Sequence, residues 1–195
     1  MMSALLKKHN FDEVFDGQKM FRLILEAMSN PGRVVNIKEY TNKLFGDCAE
    51  FLAVAMTLLD NEVSFNADEM ESFSNEIVSL TLAKQEKVEL ADFIFVCDLK
   101  DIRGVIESAK YGSLSDPHKS ATVIIQNNGS PSCSLTLSGP GIKGHIKVQT
   151  SQTIEIAIAL RDMQCYEYPQ GIDFLFISDE GELLAIPRLT RMEVA

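Results

Sequence analysis

The sequence predicts a single α/β domain built on a mixed sheet, and three observations carry that prediction. Residues 93–97, "FIFVC", form a continuous apolar run, the pattern of a strand covered on both faces by helices. Apolar residues recur at i, i+3, i+4 and i+7 in segments around it, as amphipathic helices require. The chain closes with "GIDFLFIS", a "DEG" turn and "ELLAIP", which reads as an antiparallel hairpin. Crossover helices together with hairpins imply strands of both directions. The 195 residues hold no internal repeat, low-complexity segment or linker, so residues 1–195 are expected to share one core.

Taken in order, "DGQKMFRLILEAMSNPG" places Phe21, Ile24, Leu25 and Met28 on one helical stripe, predicted to be the buried face, with Pro31 and Gly32 ending the helix. In "GDCAEFLAVAMTLLD", Asp47 and Glu50 stand at N-cap and N3 spacing ahead of a helix that is apolar on most sides and therefore buried. "EVSFNA" reads as a short strand, and Phe73, Ile77 and Leu80 mark one face of the next helix. Beyond residues 93–97, Asp101 is placed to cap a short helix running to about Ala109. "ATVIIQ" and "CSLTLS" flank "NNGSPS", whose residues suit a hairpin turn, and "HIKVQT" is a further strand. In "SQTIEIAIALRDMQCYEY" the inward helical face is either Ile154, Ile158 and Arg161 or Ile156, Leu160 and Met163.

A formal charge of -10 argues against a nucleic-acid partner, because such proteins gather Lys and Arg to displace counterions from phosphates. "FLAVAM" and "FIFVC" are far too short to span a bilayer, and "MMSALLKKHN" lacks the apolar core of an export signal. The expectation is a cytoplasmic protein with no membrane partner. Cys48, Cys97, Cys133 and Cys165 are scattered singly, with no C-x-x-C pair, which predicts buried or half-buried thiols and neither metal site nor disulfide.

Gly139, Gly141 and Gly144 in "LTLSGPGIKGHIKV" have the G-x-G-x-x-G spacing of a dinucleotide loop. Such a loop must open a helix whose N–H groups receive the pyrophosphate. Here Ile142, Ile146 and Val148 alternate with polar residues instead, and Pro140 removes a donor, so a turn between strands is predicted. No P-loop, G-x-S-x-G elbow or H-E-x-x-H pair occurs. Of His9, His118 and His145, His118 in the loop "SDPHKS" is the best placed for acid–base work. Asp98 follows the covered strand, where ligands of open α/β sheets gather; the plainer reading is a solvated loop carboxylate. Arg22, Arg33, Arg188 and Arg191 are candidate forks for phosphate or carboxylate, with surface charge or a salt bridge as the alternative.

"FRLILEAMSNPG", "LTLSGPGI" and above all "YPQGIDFLFISDEGELLAIPRLTR" resemble, in order and from the first helix to the carboxyl terminus, the PhnH family, a subunit of the bacterial carbon-phosphorus lyase core complex. The resemblance implies a three-layer α/β/α sandwich around a mixed sheet, similar to the large domain of pyridoxal-phosphate-dependent transferases but without the cofactor site. It implies partners of the PhnG, PhnI, PhnJ and PhnK types, and a homodimer when isolated. The implied step, associated with the PhnI type and supported by the PhnG, PhnH and PhnL types, displaces adenine from ATP by methylphosphonate to give α-D-ribose 1-methylphosphonate 5-triphosphate. ATP is then a substrate of the assembly, and no cofactor is expected on this chain.

No catalytic residue carries over from the resemblance. Arg22, Pro31, Gly32, Gly139, Gly141, Pro169, Gly171, Asp173, Pro187 and Arg188 are nominated as structural or partner-contact positions, Asp173 as a residue that orients a turn or meets a partner. The first ten residues and "NADEMESFSNEIVSLTLAKQEKVE" depart from the family pattern and are expected to be peripheral. Two rival classes remain. One is a stand-alone enzyme binding nucleotide or pyridoxal phosphate through the glycine loop and Lys143; the other is a purely structural homodimer.

Overall fold

The computed structural model describes residues 9–67 and 70–193. The chain opens with α1 (Phe15–Ser29), β1 (Val34–Asn36), α2 (Lys38–Thr41), α3 (Ala49–Leu58), β2 (Ser64–Asn66) and α4 (Glu71–Thr81). Next come β3 (Lys84–Gln85), β4 (Phe93–Val96), α5 (Ile102–Ser108), a 3₁₀ turn at Pro117–Lys119, and β5 (Thr122–Gln126). The chain ends with β6 (Cys133–Ser138), β7 (His145–Thr150), α6 (Gln152–Asp162), β8 (Asp173–Ile177), β9 (Glu182–Ile186) and β10 (Arg191–Glu193).

The expected mixed α/β architecture is present. Seven strands form one sheet in the order β1-β9-β8-β5-β4-β2-β3, parallel from β8 to β3, with β9 antiparallel to both β8 and β1. Side chains alternate between its faces. Phe95, Ile124 and Leu175 join one core with α1, α3 and α4, while Ile94, Val123, Ile125, Phe174 and Phe176 join another with α5, α6 and β6. Both faces of β4 are therefore covered, which is why its sequence is apolar throughout. In α3, residues 51–55 are all buried, as its all-round apolar sequence requires. Phe73 and Ile77 of α4 face the core as expected, so "NADEMESF…" is not peripheral throughout; its exposed parts are the outer face of α4 and the edge strand β3. Residues 1–8, and Asp68 and Glu69 within that segment, lie outside the described residues.

Several sequence expectations are corrected. The buried stripe of α1 is Met20, Ile24 and Ala27, and Phe21 and Leu25 are 50% and 52% exposed. Both stripes obey helical spacing, and the rotation of the helix is set by its seat on α3 and β9, which its own periodicity does not encode. Replacing Phe21 or Leu25 by serine is accordingly expected to change stability by less than about 0.5 kcal/mol. Ile24→Ala should cost about 2–5 kcal/mol; urea denaturation of the three variants checks the contrast.

Asp47 does not cap α3. The helix starts at Ala49 with Cys48 in the N-cap position and no side-chain cap bond, and the Glu50 carboxylate accepts from Lys38 Nζ at 3.3 Å. Asp101 does occupy the N-cap position of α5, without a capping side-chain bond. "NNGSPS" is not a hairpin turn, because β5 has β4 on one side and β8 on the other and no free edge for β6. Instead β6 pairs with β7 and β10 in a separate antiparallel sheet ordered β10-β6-β7. Ile154, Ile158 and Arg161 form the inward face of α6, while Met163 is exposed. Cys48 and Cys133 are half-buried, but Cys97 and Cys165 are exposed, since both lie past the ends of the elements that would have covered them.

Two aspartates tie elements together. Asp92 accepts from the Ser64 N–H at 2.8 Å, the Ser64 hydroxyl at 2.6 Å and Lys110 Nζ at 2.5 Å. Burial works to raise its pKa, but the bonds from Lys110 and Ser64 outweigh burial and leave it lowered. Asp16 is alike: burial opposes, and the bonds from Lys43 and the Asp12 N–H win. A carboxyl group with a lowered folded pKa adds stability above its unfolded pKa and loses that contribution as pH falls through the folded value. Stability should therefore decline below about pH 4. Asp92→Asn should be less stable at neutral pH yet lose less on acidification, read from urea midpoints at neutral pH and below pH 4.

Candidate functional site

The residues singled out by the sequence blocks meet around the segment 187–190, which follows β9. Asp173 opens β8 and is 5% exposed. Its Oδ1 accepts the Arg188 backbone N–H at 2.7 Å and Arg188 Nε at 3.2 Å, and its Oδ2 accepts Arg188 Nη2 at 2.5 Å. Arg188 Nη1 donates to the Pro117 carbonyl. Arg188 thus takes the salt-bridge reading, as a two-pronged pair with a buried carboxylate.

A second arginine holds the same segment from its other side. Arg161 is 2% exposed and lies 5.5 Å from the Phe174 ring centroid. It donates to the Pro187 carbonyl at 3.1 Å, the Thr190 carbonyl at 2.5 Å and Asp162 Oδ1 at 3.1 Å. Burial pushes its pKa down while Asp162 supports the charged form. In the sequence Arg161 is marked only as a member of a helical face. The available signal was a guanidinium placed at helical spacing among isoleucines, which a core admits only with partners.

The glycine string is the tip of the β6–β7 hairpin, as the alternating residues predicted. Gly139, at φ +134°, leaves room for the Leu189 carbonyl, which a Cβ would meet at 2.7 Å. Gly141, at φ +84°, does the same for the Ser29 carbonyl, at 2.6 Å. The tip is wedged between the end of α1 and the 187–190 segment, and that close backbone approach is what the two glycines permit. Gly171 admits the Arg188 side chain, its hypothetical Cβ lying 3.0 Å from Arg188 Cβ. The loop leads into β7 and opens no helix to receive a pyrophosphate, so the glycine-loop and Lys143 enzyme reading loses its footing.

Between these parts opens a cavity of about 480 Å³. Pro117, Pro140, Pro169, Pro187, Met28 and Leu189 give it apolar walls, and His118 and the Asp173–Arg188 pair are polar groups at its margin. His118 makes no side-chain hydrogen bond among the described residues, and His9 and His145 lie elsewhere, beside Glu76 and Glu193. Asp173 spends both its oxygens on Arg188. Chemically, the cavity suits an inserted apolar or flat group more than proton transfer. Arg22 stands apart, exposed on α1, and Arg33 pairs with Glu26 at 2.9 Å.

Asp98 lies where the positional rule expects it. The crossover through α4 leaves β2 toward one edge of the sheet, and the crossover through α5 leaves β4 toward the other on the opposite face, so the connections diverge between β2 and β4. A cleft of about 630 Å³ opens there, lined by Asn66, Cys97 and Asp98 among others. The backbone N–H and side chain of Lys100 bond the Asp98 carboxylate and lower its pKa. Among the described residues, no group of His, Cys, Asp and Glu is placed to hold a metal ion.

A family model for the bacterial phosphonate metabolism protein PhnH matches residues 9–193. The chain belongs to the PhnH family. No curated protein matches it. Of the residues nominated from PhnH, Gly139, Gly171 and Asp173 contact residues 187–190, which include Pro187 and Arg188, and Pro169 lines the same cavity; Gly141 meets the end of α1 beside Pro31, Gly32 packs against β6 and β7, and Arg22 lies apart. No helix among the described residues is long and apolar enough to cross a membrane.

Proposed function

We propose that the chain is a subunit of the carbon-phosphorus lyase core assembly, working with subunits of the PhnG, PhnI, PhnJ and PhnK types. In that role it supports formation of α-D-ribose 1-methylphosphonate 5-triphosphate from ATP and methylphosphonate without catalysing the step alone. The carrying observation is that the motif residues of a PhnH chain are engaged with one another, in the Asp173–Arg188 pair and the wedged glycine tip, leaving an apolar cavity rather than a reactive set. The α/β layering, with a separate core on each face of the sheet, supports the three-layer sandwich of the pyridoxal-phosphate-dependent transferase large domain, here without the cofactor. The chain works in the cytoplasm and, when isolated from its partners, forms a homodimer, for which exposed Phe21 and Leu25 on α1 offer apolar area.

The test is co-expression with the four partner types and affinity purification through this chain. All four should be retained, and the assembly lacking this chain should lose turnover of methylphosphonate with ATP. An assembly that forms and turns over fully without it would refute the reading. Light scattering of the isolated chain should return the mass of two copies.

A further inference from the structure

On the other side of residues 187–190 lies a second cavity, of about 350 Å³, between the end of α6, the loop after it, and β10. Arg161, Arg188 and Arg191 line it, and Asp162 is the one carboxylate among its lining residues. That excess of positive charge stands out in a chain of formal charge -10. Tyr166 adds no negative charge at neutral pH, because burial, partly offset by Arg161, pushes its phenol up to about 12. The negative end of α6 contributes about half an elementary charge. Set against Asp162 and against Asp173, which is paired with Arg188, the three guanidinium groups leave about one positive charge, and the helix end offsets about half of it.

The three arginines differ in freedom. Arg161 and Arg188 are both fixed by the bonds described above; Asp173 neutralises Arg188, so Arg161 is the immobile positive charge and Arg188 a rigid part of the wall. Asp162, whose side chain is 42% exposed, is a well-solvated and hence weak counter-ion for the buried Arg161. Arg191 is exposed and makes no ion pair or side-chain hydrogen bond among the described residues, which leaves its whole fork available. Thr190, 1% exposed and part of the same wall, has a hydroxyl with no hydrogen-bond partner. A fixed positive field, a free bidentate donor and a neutral aromatic wall match a tetrahedral oxyanion.

We propose that this cavity binds a phosphoryl or phosphonyl oxyanion, with Arg191 as the contacting fork and Arg161 as the fixed charge beside it. The site stands on the isolated chain and does not depend on the assembly role. Its test is calorimetric titration of the full chain, at low salt, with inorganic phosphate, methylphosphonate and ATP in separate experiments. At least one of the three should bind saturably, and Arg191→Ala should weaken that binding about tenfold, the loss of one charge-assisted contact. Arg191→Lys, which keeps the charge but not the fork, should fall between. Lys143→Ala, on the β6–β7 hairpin tip, should bind as the parent does. Which of the probes saturates identifies the source of the oxyanion. The proposal is overturned if none of the three binds saturably, or if Arg191→Ala and Lys143→Ala weaken binding equally. Loss of assembly in the co-purification experiment with binding intact would count against the subunit role and leave this site standing.

Discussion

Replacing Asp173 by alanine is expected to lower the unfolding free energy by about 3–5 kcal/mol, the cost of leaving one member of a buried ion pair without its partner. Both sides of the pair are withdrawn from water, with side chains 7% and 20% exposed, so solvent cannot take the place of the carboxylate. The loss falls on three donors of Arg188 at once, its backbone N–H, Nε and Nη2. Arg188→Met should cost less, because the remaining carboxylate keeps the backbone N–H of residue 188 as a donor. In the double variant Asp173→Ala, Arg188→Met, the effects should fall short of additivity by more than about 1 kcal/mol, the mark of direct coupling. Urea denaturation of the four proteins closes the cycle. Single-variant losses under about 1 kcal/mol, or additive ones, would show that the pair does not hold the segment. Hydrogen exchange at residues 188–190 should rise in Asp173→Ala, since Arg161 alone then retains the segment.

The second large effect separates the glycines of one string. Gly141→Ala and Gly139→Ala should each destabilise by about 2–5 kcal/mol, from left-handed backbone strain and a Cβ forced against a carbonyl. The contacts are with backbone, 2.6 Å to the Ser29 oxygen and 2.7 Å to the Leu189 oxygen, and backbone cannot swing aside as a side-chain tip can. Gly144 also has a positive φ, +76°, but a Cβ there meets nothing within 4 Å. Gly144→Ala should therefore cost only about 1 kcal/mol. Thermal melts of the three variants give the order. Equal losses at all three would mean that the tip is not wedged as described, and a loss of ATP affinity confined to Gly144→Ala would revive a nucleotide role for the string.

What the sequence by itself determined follows from local rules. The apolar run of β4, the all-round apolar α3 and the terminal β8–β9 hairpin were legible because burial on two faces, or a short turn between strands, leaves its pattern in adjacent residues. The failure of "SGPGIKG" as a phosphate loop was legible too, since the missing helix is a local fact. The three blocks that resemble PhnH marked most of the residues around the 187–190 segment before any geometry was known.

Only the tertiary structure decided the rest, wherever two local readings were equally good or a partner lay far along the chain. Phe21 and Leu25 have the same helical spacing as Met20 and Ile24, and the seat of α1 on α3 and β9 chose between them. "NNGSPS" has the composition of a hairpin turn, but β4 and β8 had already taken both edges of β5. Asp173 and Arg188 are separated by a hairpin, and nothing in either residue's neighbours says that one carboxylate will absorb three donors of the other. Gly141 meets residue 29 and Gly139 meets residue 189, contacts between distant parts of the chain. Turns and faces are written in consecutive residues, whereas pairing, rotation and close approach depend on how finished elements compete for the same surfaces.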